Sequence, residues 1–342
     1  MDYFLTLPAT RRRQLCEAAG DALGLDAPSV EKDFWVCWVL RELFMLPKAG
    51  PHLTFKGGTS LSKGWKLIER FSEDIDAVVD REFLGFSGEQ APELAPSNKK
   101  RNKRIEALMS ACQNYIREVM SLELTQRFEK SLPTDLKWRI ADDPADNDGQ
   151  TLLFEYPATF LSGTYLQPVV KLELGARSDT EPSGTPEIQP YLAEALPDEM
   201  GPSTFKVRAV APERSFCEKA MLLHEETFRD NEGPKARLAR HYYDLWCLIR
   251  AGIAEKAVDD PGLFERIVAH RAVYFRNNKE AQDSLRPGSL RLLPTGNQRA
   301  AWKQDYDAMR DTMFFGATPE FDEILSVVGD FERRFNKSAG AS

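Results

Sequence analysis

Histidine is scarce in this 342-residue chain: only His52, His224, His241 and His270 occur, too scattered to build a histidine metal cluster. The five cysteines, Cys16, Cys37, Cys112, Cys217 and Cys247, show neither CxxC nor Cys/His ligand spacing, and most sit among apolar residues as buried free thiols do. These shortages exclude a zinc site, point to a reducing compartment and leave oxygen atoms as the ligands of any metal. No apolar run approaches the roughly 18 residues that a membrane span needs. The first residues, MDYFLTLPATRRRQLCEAAG, lack the basic start and apolar core of a signal peptide. A cytoplasmic protein with no membrane partner is therefore expected. Positive charge is not in excess either: the formal net charge of −8 argues against a surface given over wholly to nucleic acid, while leaving room for a local basic patch. Internal repeats are absent, and so is any low-complexity tail beyond SAGAS at the terminus.

What is present is an ordinary globular composition, 42% hydrophobic and 29% charged, enough for one large domain or two of common size. Apolar spacing predicts helices over residues 11–23 and 30–44, the second capped by Ser29 with EKD in its first turn. LTFK reads as a short strand entering Gly57-Gly58, followed by helical character over 61–70 and a strand over 74–79. Residues 85–98 are rich in Gly, Ser, Pro and Glu and mark a loop, after which KKRNKR at 99–104 opens a helix running to about residue 122. A second loop covers 141–150. TLLFEYP and YLQPVVKLELGA follow as strands, the latter with Val169, Lys171 and Glu173 on one face and Val170, Leu172 and Leu174 on the other. Beyond a Pro-rich connection at 178–202, TFKVRAVA reads as a last strand, and from Pro212 the pattern is helical. The expected class is α+β, with sheet and N-terminal helices in 1–211 and a mostly helical lobe in 212–342.

The stretch FKGGTSLSKGWKLIERFSEDIDAVV concentrates the chemistry. Residues two apart on a strand point to the same side, so Ser72, Asp74 and Asp76 share one face while Glu73, Ile75, Ala77 and Val79 share the other. Converging anions repel unless a cation lies between them, and a hard divalent ion, Mg²⁺ or Mn²⁺, is held by one or two carboxylates together with substrate phosphate oxygens. Upstream, Gly57 and Gly58 permit close backbone approach, and Thr59 and Ser60 begin a helix whose free N–H groups favour phosphate. A Gly-Gly turn or a DxD strand alone is often only structural. The two in strand, turn, helix, strand order read as a phosphate cradle and a metal clamp.

GGTSLSKGWKLIERFSEDID resembles the first motif of minimal nucleotidyltransferases, most closely that of the AbiEii/AbiGii-type toxins, including the MenT-like toxins. EKDFWVCWVLREL resembles their N-terminal helix, PERSFCEKAMLLHEE their lysine helix, and RHYYDLWCLI their later RxxYDL-type helix, while WKQDYDAMRDTMFFGATPEFDEIL keeps the family's cadence. The likeness runs from about residue 31 to 336 and is weak over 81–150. It implies a nucleotidyltransferase-type mixed sheet followed by a helical lobe, with a nucleoside triphosphate as substrate. By position, Gly57, Gly58, Thr59 and Ser60 would meet the nucleotide phosphates, Ser72 would line the site, and Asp74 and Asp76 would bind the metal. Lys219 would neutralise the triphosphate and Asp244 would complete the active site.

Helical spacing sets Lys219 beside Phe216 and Leu223 and Asp244 beside His241 and Leu248, each at the edge of an apolar stripe, where a charge needs a partner. The structural alternative pairs Lys219 with some carboxylate and Asp244 with Arg240, four residues away. A third carboxylate is usual in this superfamily, and Glu173 is the candidate. The resemblance further implies an RNA acceptor, a tRNA 3′ end, and a cognate winged-helix antitoxin. KKRNKR would supply phosphate contacts or be a solvated helix start. Transfer to a protein or small-molecule hydroxyl, and a nucleotide- or partner-binding protein without chemistry, stay open as alternatives.

Overall fold

Three helices open the chain: Asp2–Thr6 (α1), Ala9–Leu23 (α2) and Ala27–Phe44 (α3). The third is apolar around its circumference, with Phe34, Trp35, Val36, Trp38, Val39 and Leu40 all buried. A helix of that kind is stable only inside a core. It starts before Ser29 because Asp26 takes the cap: its carboxylate accepts the Ser29 N–H at 3.1 Å, and Pro28 fits the first turn. The computed structural model describes residues 1–160, 167–229, 233–275 and 278–338.

Strand Leu53–Lys56 (β1) enters the single turn Gly57–Thr59 (α4), which continues as a π-turn over Ser60–Gly64. The helical run expected over 61–70 stops there. Lys66 takes a positive φ of 54°, the Phe71 N–H donates to the Met313 carbonyl at 2.7 Å, and Arg70 forms a bridge with Phe314. Long-range pairing thus overrides local propensity. Asp74–Val79 (β2) follows. Then Asn98–Tyr115 (α5), a π-turn at Ile116–Met120 and Ser121–Ser131 (α6) carry helix well past the expected end. Arg139–Asp142 (β3), Thr151–Glu155 (β4) and Val169–Gly175 (β5) are the next strands, and β5 alternates half-buried and buried along its length as its sequence predicts. The Pro-rich connection contains Ser183–Gly184 (β6), Glu187–Ile188 (β7), Tyr191–Ala195 (α7) and Pro197–Met200 (α8). TFKVRAVA splits in two, Phe205–Lys206 (β8) and Ala209–Val210 (β9), which join different sheets.

The α+β class is observed, built on a mixed seven-stranded sheet in the order β3-β4-β5-β2-β1-β9-β6. At its centre β2 runs parallel to β5 and antiparallel to β1. A small antiparallel pair, β7 with β8, stands apart from it. The chain divides into two compact units: Met1–Trp65 with Ser72–Ala209, and Lys66–Phe71 with Val210–Ser342. Six residues of the N-terminal half, those joining the Gly-Gly turn to the DxD strand, therefore belong to the helical unit.

Inside the first unit α3 packs its indoles against α6 and the sheet: Trp38 meets Phe128 of α6 at 4.7 Å and Trp35 meets Phe154 of β4 at 5.8 Å. One half-buried and one buried ion pair tie this helix to the DxD strand and the turn. Lys32 pairs with Glu73, just before β2, and Asp33 pairs with Lys63 of the π-turn at 3.0 Å while also accepting the Tyr191 N–H. The second unit consists of Pro212–Glu226 (α9), Arg240–Arg250 (α10), Ile253–Asp259 (α11), Pro261–Tyr274 (α12), Lys279–Asp283 (α13), Arg299–Met313 (α14) and Phe321–Ser338 (α15). Its core holds edge-on aromatic pairs such as Tyr242 with Trp302 and Phe216 with Phe331. Among the described residues no helix is long and apolar enough to cross a membrane.

Removing one partner of a buried pair strands the other charge, so Asp33→Ala should cost about 3–5 kcal/mol. Asp33→Ala with Lys63→Met should recover more than half of that in urea unfolding. Equal losses in the single and double variants would show that the pair does not pin the turn.

Candidate active site

Five charged side chains share one face of the three central strands. Cross-strand register places Lys56 of β1 opposite Asp76, Lys171 of β5 opposite Asp74, and Glu173 opposite Asp76. Asp74 and Asp76 thus lie on one face as their spacing predicts, and the structure brings Glu173 beside them. The crowding is visible in their acidities. Burial, then Glu173 and Glu73, push the Asp74 carboxyl up to about 6. Asp76 is pushed up to about 7, first by burial and then by Glu173 and Asp74, against the downward pull of Lys56. A hydrogen bond with Glu173 adds to the rise of Asp76.

The glycine turn is shaped by the same carboxylate. Gly57 has φ of 81°, and a Cβ there would lie 2.1 Å from Asp76 Oδ2, so a side chain is excluded both by conformation and by contact. Gly58 follows half-buried in the same turn. Thr59 is fully buried, and its hydroxyl bonds Ser72 Oγ at 2.8 Å and the Asp74 carbonyl at 2.5 Å. Its side chain therefore locks turn to strand, and only its backbone N–H faces a ligand role. Ser60 is buried with its hydroxyl unpartnered.

Two lysines complete this face. Lys171 reaches Glu173 at 2.8 Å and Asp143 at 3.5 Å, and Lys56 donates to Ser178 Oγ at 2.9 Å. Lys56 escaped the sequence reading, although a lysine at the last strand position before Gly-Gly is the signal that would have found it. Among the described residues no three carboxylate, imidazole or thiolate groups already surround one point. The donor set nonetheless fits a hard divalent ion: two adjacent carboxylates whose mutual repulsion a cation would relieve, with Glu173 engaged by Lys171 as a third oxygen donor in reserve.

In the helical unit, Lys219 and Asp244 meet each other. Lys219 Nζ lies 2.8 Å from Asp244 Oδ2, and Arg70 grips the same carboxylate with two bonds of 2.7 and 2.9 Å. The arginine partner of Asp244 is thus Arg70, 174 residues away, rather than Arg240. Nothing in the local pattern announced it. Burial opposes ionisation of Asp244 most strongly, yet Arg70 and Lys219 together hold its carboxyl far below the usual range. Burial lowers Lys219 in turn, and burial together with Lys219 keeps His241, whose Nδ1 lies 3.3 Å from Lys219 Nζ, neutral. Two cations on one carboxylate leave one buried positive charge over.

A glycine turn fused to a paired-carboxylate strand in a mixed sheet is the arrangement of a nucleotidyltransferase. The family model described as nucleotidyl transferase AbiEii toxin, type IV toxin–antitoxin system, matches residues 38–327, and the chain belongs to that family of enzymes. Among solved structures, MenT4, a nucleotidyltransferase toxin from Mycobacterium tuberculosis H37Rv, is similar at 17% identity over 96% of this chain and 93% of that one, with a TM-score of 0.42. No curated protein matches the chain.

The acidities fix the sign of a pH effect. Because the folded-state pKa of Asp76 lies above the ordinary 3.8, the folded chain binds the extra proton, and stability falls as pH rises from about 4 through about 7. Asp76→Asn mimics the protonated form. In chelator it should raise the melting temperature by a few degrees at pH 8, on the order of 1–2 kcal/mol, and by much less at pH 4.5. An equal shift at both pH values would refute the crowding. For the triad, Asp244→Ala abandons two buried cations and should cost about 3–5 kcal/mol in denaturant unfolding. A neutral result would mean that Arg70 and Lys219 do not depend on it.

Proposed function

We propose that this enzyme transfers a nucleoside monophosphate from a nucleoside triphosphate to a hydroxyl of RNA, a tRNA 3′ end, in a metal-dependent reaction. The observation that carries the reading is the pair Asp74 and Asp76 on one face of β2, with Glu173 alongside and Gly57 held bare beneath Asp76. Magnesium bound by these carboxylates would neutralise the charge that develops on the transferred phosphoryl group. The chain's own contribution is mainly positioning. The turn at Gly57 and Gly58, with the backbone N–H groups of Thr59 and Ser60, would cradle the phosphates, and Ser72 would line the site, its hydroxyl oriented by Thr59. Lys219 would offset the triphosphate's charge, and Asp244 would hold Lys219 charged in its buried setting. The acceptor oxygen attacks the α-phosphorus, the bond to the bridging oxygen breaks, pyrophosphate leaves and the hydroxyl proton passes to a carboxylate of the face.

The toxin role follows from the matched family: modification of tRNA in the cytoplasm would block translation, and a winged-helix antitoxin would be the partner that restrains it. Purified protein incubated with Mg²⁺, each labelled nucleoside triphosphate in turn and total RNA should place label in tRNA. Asp74→Ala should lower transfer at least about a thousandfold while leaving the fold intact, as loss of a principal charge-stabilising group does. Label in protein, or in no macromolecule, would redirect the acceptor assignment, and full transfer by Asp74→Ala would overturn the mechanism.

A further inference from the structure

The basic run at 99–104 sits where elementary electrostatics disfavours it. It occupies the first two turns of α5, capped by Ser97, and that first turn contains no acidic residue. Cations at a helix N-terminus oppose the positive end of the helix dipole. Lys99, Lys100 and Lys103 are exposed and enter no ion pair among the described residues. At about 100° per residue the three fall within an arc of about 100°, opposite the buried Leu108. A stripe that costs the helix stability and has no protein anion to answer it is shaped for an external polyanion.

Through Arg104, α5 adjoins a cleft of about 280 Å³ that opens beyond the end of β2, lined by Val79, Asp80, Arg81, Phe86, Glu93 and Asp179 among others. The cleft is tied to the catalytic face at one side, because Lys56, opposite Asp76, donates to Ser178 on its wall. It is tied to α5 at the other, because Arg104 donates to the carbonyl of Ala91, also on its wall, at 2.8 Å. Half-buried Phe86 offers a ring for stacking. The wall carboxylates repel phosphate but accept hydrogen bonds from exocyclic amino groups and from a ribose 2′-hydroxyl.

We propose that the cleft and the α5 stripe form the RNA acceptor site: the unpaired 3′ end, with amino-bearing adenine or cytosine bases, lies in the cleft against Phe86, and the backbone phosphates upstream lie on Lys99, Lys100 and Lys103. This rests on the RNA-acceptor reading above and adds to it the surface that holds the RNA.

The test measures binding and transfer separately. Deacylated tRNA, a hairpin RNA with a 3′ overhang and the same hairpin made blunt are titrated by fluorescence anisotropy against wild type, against K99Q/K100Q/K103Q and against Phe86→Ala, without nucleoside triphosphate. Neutralising three lysines should flatten the log affinity against log salt by about 2, at roughly 0.7 per single-strand phosphate, and weaken tRNA binding about tenfold or more at 150 mM salt. The melting temperature should hold or rise, since the dipole is no longer opposed. Phe86→Ala should abolish the preference for the overhang over the blunt hairpin. An unchanged salt slope, or wild type that binds none of the RNAs, overturns the proposal. If wild type binds with the predicted slopes but transfers no label, the acceptor surface stands and the transfer reading falls. If wild type labels tRNA and the triple variant keeps its KM for tRNA, the reverse holds.

Discussion

Three carboxylates forced onto neighbouring positions of one strand face are the constraint from which most of the first unit follows. Burial first, and then the neighbouring carboxylates, push Asp74 up to about 6 and Asp76 up to about 7. Everything nearby manages this crowding. Lys56 and Lys171 stand opposite the two aspartates in adjacent strands, and Glu173 is engaged by Lys171. A divalent ion bound here would compete with a proton for the Asp74 and Asp76 oxygens, which would couple metal affinity to pH. The turn at Gly57 obeys the same constraint, since Asp76 fills the volume that any other side chain would need.

Holding such a face in place takes rigidity on its other side. Glu73 points away from Asp74 and Asp76 and is tied to Lys32, while the neighbouring Asp33 reaches Lys63 in the turn that follows the glycines. Two consecutive residues of α3 thus anchor the two halves of the motif, the strand and the turn. Thr59 closes the arrangement by joining turn to strand through Ser72 and Asp74. The six residues between these halves belong to the helical unit, where Arg70 is clamped by Asp244.

Periodicity made much of this legible. The strand alternation at 74–79 and 169–175 fixed which side chains share a face, and the switch to helical spacing after Pro212 separated sheet from helices. What stayed hidden was set by residues far apart in sequence. The helix expected over 61–70 fails because Phe71 and Arg70 pair with Met313 and Phe314, and no local pattern encodes a partner about 240 residues away. Asp244 invited pairing with Arg240 by helical proximity, yet a guanidinium offering two parallel bonds outcompetes a neighbour one turn away. Thr59 was legible as a residue whose backbone N–H could meet phosphate, while the bond of its buried hydroxyl to Ser72, 13 residues on, was not. The start of α3 was misplaced for a smaller reason, since Asp26 and Ser29 are both competent caps and only geometry decides between them.

An acidic protein that handles polyanions must place its cations singly, because a net charge of −8 gives no attractive field at long range. The structure distributes them by task. Lys56 and Lys171 balance carboxylates on the face of the central strands. Arg70 and Lys219 share one carboxylate and retain a surplus positive charge in a buried setting, where low dielectric magnifies it. Lys99, Lys100 and Lys103 remain solvated and unpaired among the described residues, where salt screens them. Charge at the carboxylate face and triad should thus respond weakly to ionic strength and charge on α5 strongly. That difference follows from burial alone and gives the two kinds of cation separable signatures in one protein.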